Sequence, residues 1–132
     1  MKNILLIDDD EKTTSFLVEY LRETCGYAVD NVVEAGEVIA RLKENKYDAI
    51  ILDMMMPVPA SWTVDEKKEA QFGLNTGGIL FRQIRKLNSN VPILVLTARE
   101  SSLIDKNTSH LRKPEAIRNI VLQLKKVMLE EK

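Results

Sequence analysis

Three short apolar runs end in residues that can do chemistry, and a fourth site joins them. Ile4-Leu5-Leu6-Ile7 leads into Asp8-Asp9-Asp10, Ala49-Ile50-Ile51-Leu52 into Asp53, and Ile93-Leu94-Val95-Leu96 into Thr97. Further on, Leu111-Arg112 leads into Lys113-Pro114. A run of apolar residues that stops at a polar one has the pattern of a buried strand ending at a site. In open parallel sheets, ligands bind beyond the carboxyl ends of the strands. If these runs are neighbours, one pocket gathers several carboxylates, a hydroxyl and an ammonium. Such a set suits a divalent cation and a phosphoryl group. A strand-end carboxylate such as Asp53 can attack a phosphoryl group to give an aspartyl-phosphate. Asp8 and Asp9 are the oxygen donors that Mg²⁺ takes in ones and twos. Without a cation, crowded carboxylates repel and raise one another's pKa. Thr97 offers a hydroxyl, and Lys113 a mobile point charge, to phosphoryl oxygens. Ala98, after Thr97, leaves room for such a group. Taken singly, each residue has a blander role. A lone aspartate after a strand ordinarily caps a turn or helix, the part assigned to Asp10. It is the coincidence of four such ends that favours a site.

The elements that must position these residues alternate. Ile4–Ile7 is a first strand. A helix over Ser15–Cys25 follows, with Phe16, Leu17, Tyr20, Leu21 and Cys25 on one face. Gly26 stands at its C-cap. Tyr27–Val33 is a second strand, Ala35–Asn45 a helix, and Tyr47–Leu52 a third strand, with Pro57 ending regular pairing. Residues 58–77 read as a long loop, with a helical turn somewhere in Val64–Gln71. Loops beyond about 12–15 residues are uncommon in compact domains unless functional or disordered. Ile79, Leu80, Ile84 and Leu87 resume a helix, and Pro92–Leu96 is a fourth strand. The segment Arg99–Ser109 supports a short helix or a loop, and Ser109–Arg112 a brief fifth strand. Pro114 opens a last helix with Ile117, Ile120, Val121, Leu124 and Met128 inward. This alternation implies a parallel sheet covered on both faces.

Composition narrows the class. The 132 residues amount to one domain, spanning 1–132. Nineteen basic and 20 acidic residues leave a net charge of −1, which does not suggest direct nucleic-acid or membrane binding. The single Cys25 excludes an internal disulfide and fits a reducing, cytoplasmic compartment.

In this order the motifs resemble the receiver domain of two-component response regulators. Ile4-Leu5-Leu6-Ile7-Asp8-Asp9 resembles the family's opening strand and acidic pair. Ile51-Leu52-Asp53-Met54-Met55-Met56-Pro57 resembles its phosphoacceptor strand, Leu96-Thr97-Ala98 its switch-threonine strand, and Lys113-Pro114 its closing Lys-Pro. The resemblance covers nearly all of the chain outside residues 58–77. It implies an α/β fold, a (βα)5 flavodoxin-like doubly wound sheet in the order 2-1-3-4-5. It further implies that Asp53 accepts a phosphoryl group from a phosphohistidine on a sensor histidine kinase or histidine phosphotransfer protein. Mg²⁺ would be held by Asp9 and Asp53, by Asp8 largely through water, and by the backbone carbonyl of Met55. Lys113 would pair with Asp53 or its phosphoryl oxygens, with a cis Lys-Pro bond, and Thr97 would move toward the phosphoryl group. The chain would then catalyse only its own phosphorylation and dephosphorylation, signalling to a downstream protein effector.

Three departures from the family stand out. Gly77 lies 20 residues beyond Pro57, where the family reaches a glycine within a few. Trp62 and Phe72 would either pack that enlarged loop down or anchor a partner. The stretch from Thr97 to Lys113 is short, and His110 stands where the family usually has Tyr or Phe. Met55 and Arg99 occupy positions that tune phosphoryl lifetime, and Met55 implies slow self-dephosphorylation. Two other readings compete. One is a degenerate receiver acting as a phosphorylation-independent binding module. The other is a haloacid-dehalogenase-like phosphatase built on Asp8 and Asp10, in which Asp53 would be idle. With no further domain after the last helix, the expectation is a stand-alone receiver or a fragment.

Overall fold

The computed structural model describes residues 1–98, 103 and 105–129. Its strands are β1 (Asn3–Ile7), β2 (Ala28–Val32), β3 (Ala49–Leu52), β4 (Ile93–Thr97) and β5 (Thr108–Arg112). The helices are α1 (Glu11–Glu23), α2 (Val38–Glu44), α3 (Val64–Glu69), α4 (Thr76–Leu87) and α5 (Ile117–Val127). All pairings are parallel, and the sheet order is β2-β1-β3-β4-β5. The expected doubly wound α/β sheet is therefore present.

Position in the sheet explains strand composition. The three central strands are buried on both faces, so they are apolar without alternation. β5 is an edge strand, and Thr-Ser-His-Leu-Arg suffices there. Alternate residues of the central strands feed two cores. Leu5, Ile7, Ile50, Leu52 and Val95 pack with Val38 of α2 and Leu80 and Ile84 of α4. Ile4, Leu6, Ile51 and Leu96 pack with Leu17 and Leu21 of α1 and Ile120 and Leu124 of α5.

Three expectations need correction. α1 begins at Glu11, four residues before Ser15, and its buried face is Thr14, Leu17, Val18 and Leu21. Phe16 is 71% exposed, and Tyr20 is also exposed. The helical pattern was right in period but displaced by one position. α5 begins at Ile117, three residues after Pro114, which was expected to open it. Finally, residues 58–77 are not loop throughout: besides the expected helical turn, present as α3, they include the start of α4. Thr63 caps α3 in a capping box, accepting from the Glu66 N–H while Glu66 accepts from the Thr63 N–H. Thr76 and Gly77 belong to the first turn of α4. The aromatics divide: Trp62 packs half-buried against the α2–α4 core, whereas Phe72 is 79% exposed. Gln71 and Phe72 both take left-handed backbone, at φ 53° and 52°. Gly26 turns the chain after α1 at φ 72°, as a helix-ending glycine does.

Candidate functional site

Strand register brings the polar ends together. Ile7 pairs with Leu52, so Asp8 and Asp53, one residue further on, lie side by side. Thr97 pairs with Arg112, and the Lys113 N–H donates to the Thr97 carbonyl at 2.9 Å. Lys113 thus enters from the far side of β4 and reaches across it. Its Nζ donates to Asp8 Oδ2 at 2.6 Å and to Asp53 Oδ2 at 3.2 Å. Carboxylate oxygens of Asp8, Asp9 and Asp53 lie within 4.8 Å of one another. Asp8, Asp53 and Thr97 are buried, while Asp9 and Met55 are exposed at the rim. The strand-end residues singled out from sequence are therefore gathered at one end of the sheet.

Backbone donors orient the acids. Asp8 Oδ1 accepts from the Asp10 N–H at 3.0 Å, and Asp53 Oδ1 from the Met55 N–H at 3.2 Å. Asp10 sits directly before α1, and its carbonyl accepts from the Thr14 N–H, as its capping role predicts. The Lys113-Pro114 bond is cis. His110 is exposed on β5, and Arg99 lies outside the described residues.

The electrostatics are uneven. Burial raises the Asp8 carboxyl above its ordinary value, more than the Lys113 hydrogen bond lowers it. Burial also opposes the Lys113 charge, but the hydrogen bonds and charges of Asp8 and Asp53 outweigh it, so Lys113 is raised. Lys113 pairs with Asp53, one of the two partners the resemblance implies, and its shorter bond is to Asp8. Three carboxyl groups facing one ammonium make a donor set that a divalent oxygen-loving cation fits. Beside them a cleft of about 350 Å³ opens between α1 and α5, with Leu17, Leu96, Ile117 and Ile120 among its walls.

Sequence reasoning missed the contribution of α4. A Cβ on Gly77 would lie 2.5 Å from the Asp53 carbonyl oxygen and 2.6 Å from Met54 Cα. Only glycine lets the helix approach the end of β3 this closely. It stands 20 residues after Pro57, and nothing in the sequence shows that the two segments touch.

Comparison with known proteins agrees with this geometry. The family description "response regulator receiver domain" matches residues 4–60. Transcriptional regulatory protein ResD of Bacillus subtilis is 32% identical over 132 residues, covering 95% of this chain and 47% of ResD. The chain thus spans about half of that relative. Response regulator protein TrrA of Thermotoga maritima, solved in complex with Mg²⁺-BeF, superposes with a TM-score of 0.74 at 27% identity, covering 96% of this chain and 99% of TrrA. A CheY-like receiver domain protein from Methanospirillum hungatei shares the fold, with a TM-score of 0.78 at 20% identity, over 97% of this chain and 94% of the other. The chain is homologous to response regulator receiver domains, by the family match over residues 4–60 and the likeness to ResD and TrrA. The phosphatase and degenerate-module readings are not favoured by these relatives.

Proposed function

We propose that this receiver domain accepts a phosphoryl group on Asp53 from a phosphohistidine of a histidine kinase or phosphotransfer protein. The observation that carries this reading is the Lys113 ammonium shared between buried Asp8 and Asp53, with Asp9 at the open side. A nucleophilic carboxylate needs its partner's charge neutralised during transfer. Mg²⁺, held by Asp9, Asp53, the Met55 carbonyl and, through water, Asp8, would supply that neutralisation. TrrA, solved with Mg²⁺-BeF and also in complex with the histidine kinase ThkA, supports both the cation and the donor class. Lys113 holds the acids in place before transfer and is placed to follow a phosphoryl oxygen afterward. Thr97, buried at the end of β4, supplies the hydroxyl that turns modification into movement of the segment after it.

On this reading the chain catalyses only its own phosphorylation and dephosphorylation, in the cytoplasm. Its output is a changed surface for a protein effector. Met55, exposed and without a polar side-chain group, cannot orient an attacking water, so the phosphoryl group persists. Residues 58–75, with α3 among them, are its enlarged connection between the acceptor strand and α4.

Intact-protein mass after incubation with acetyl phosphate and MgCl₂ tests the proposal. Wild type should gain one phosphoryl group, and Asp53→Ala none. No addition to wild type, or equal addition to both, overturns it. Loss of the label within seconds in the absence of partners would contradict the slow hydrolysis.

A further inference from the structure

The backbone leaving Asp53 is held in an alternating way. The Met54 carbonyl accepts the Gly77 N–H at 2.9 Å. The Met56 carbonyl accepts the Thr76 hydroxyl at 2.5 Å, and the Met56 N–H donates to the Gly73 carbonyl at 3.2 Å. Between them, the Met55 N–H is used by Asp53 Oδ1. Among the described residues, no donor reaches the Met55 carbonyl. Thr76 and Met56 are almost wholly buried, so water does not readily replace that hydroxyl.

We propose that Thr76 is a positioning residue for the divalent-cation site. Together with the Gly77 N–H, its hydroxyl fixes the peptides on either side of Met55 and leaves the Met55 oxygen as the free acceptor beside Asp53. The inference rests on the cation reading given above. Its physical basis is the demand of Mg²⁺ for near-octahedral geometry, which makes a carbonyl ligand useful only if its peptide is already oriented. Groups that orient a ligand without touching the metal commonly control affinity. The first turn of α4 would therefore set the cation affinity of an acid cluster that it does not itself join.

Calorimetric titration of the whole chain with MgCl₂, for wild type, Thr76→Val and Thr76→Ser, tests this. Thr76→Val should bind Mg²⁺ about tenfold more weakly, and Thr76→Ser within about twofold of wild type. A purely structural role would lower the metal-free melting temperature of Thr76→Val and leave its Mg²⁺ affinity unchanged. A second measurement needs no variant. With the Met54, Met55 and Met56 carbonyls labelled with carbon-13 in wild type, Mg²⁺ should shift the Met55 resonance most. The proposal is overturned if Thr76→Val keeps wild-type affinity, or if Mg²⁺ moves the Met56 carbonyl as far as that of Met55. Absence of saturable Mg²⁺ binding by wild type would remove the cation reading itself. That result precedes any variant, so the two failures are distinguishable.

Discussion

Opposite ends of the same sheet hold charge in opposite ways. Where β4 and β5 begin, Arg85 of α4 is almost saturated with partners. Its Nε donates to Asp105 Oδ2 at 2.7 Å and its Nη1 to the Val91 carbonyl at 2.7 Å. Longer bonds run to the Asn88 and Asn107 carbonyls and to Thr108 Oγ1. Asp105 in turn accepts from the Asn107 N–H and the Thr108 hydroxyl. One guanidinium meets one carboxylate, and neutral acceptors take the remaining donors. Where the strands end, one ammonium meets Asp8 and Asp53, with Asp9 close by. The first arrangement is closed and ties the end of α4 to the strand starts. The second has carboxylate capacity left over, and that surplus makes it a site rather than a staple.

Breaking the closed end should have the larger effect. Arg85→Gln leaves Asp105 and several carbonyls without their donor, and should cost about 3 kcal/mol of stability in urea unfolding, with or without MgCl₂. Lys113→Ala should cost about 2 kcal/mol without metal, because buried Asp8 and Asp53 lose their only ammonium partner among the described residues. Unlike the first loss, this one should shrink as MgCl₂ is added, since the cation binds the folded state. An equal loss at all MgCl₂ concentrations would mean that the open end is a staple too.

Acid should separate the two ends further. Asp105 is held below the ordinary aspartate value of 3.8: Arg85, Thr108 and the Asn107 N–H together outweigh the opposing effect of burial. A lowered folded-state pKa stabilises the protein above 3.8, and that contribution is lost as pH falls through the folded value. Asp8 is raised, so its contribution has the reverse sign: present below 3.8 and lost as pH rises through its folded value. The urea midpoint, followed from pH 6 to pH 3, should therefore fall less steeply for Asp105→Asn than for wild type. For Asp8→Asn it should fall at least as steeply as for wild type. The smallest effect is expected for Asp53→Asn in metal-free buffer, a change under about 1 kcal/mol, because it relieves repulsion within an acid cluster. A thermal melt showing a large drop would make Asp53 structural.

The same contrast explains what could be read from residues alone. The central strands are buried on both faces, so an unbroken apolar run marks each one, and the residue ending the run marks the site. Asp8, Asp53, Thr97 and Lys113 were legible for that reason. Arg85 and Asp105 were not, because their partners are backbone carbonyls and a loop residue 20 positions away, which leave no periodic trace. Thr76 and Gly77 read as loop because glycine and threonine are turn residues by propensity. Tertiary contact with the chain leaving β3 decides otherwise. The start of α1 was misplaced because Glu11 and Lys12 are exposed and add nothing to an apolar pattern.

Trp62 is the single tryptophan in the chain. It lies half-buried against the α2–α4 core, its backbone N–H donating to the Pro59 carbonyl at 3.1 Å, on the segment that leaves β3 through Met56. Any shift of that segment against the sheet changes the water around one indole. The molecule therefore carries its own fluorophore on that segment, and tryptophan emission can report any such displacement in solution without a label.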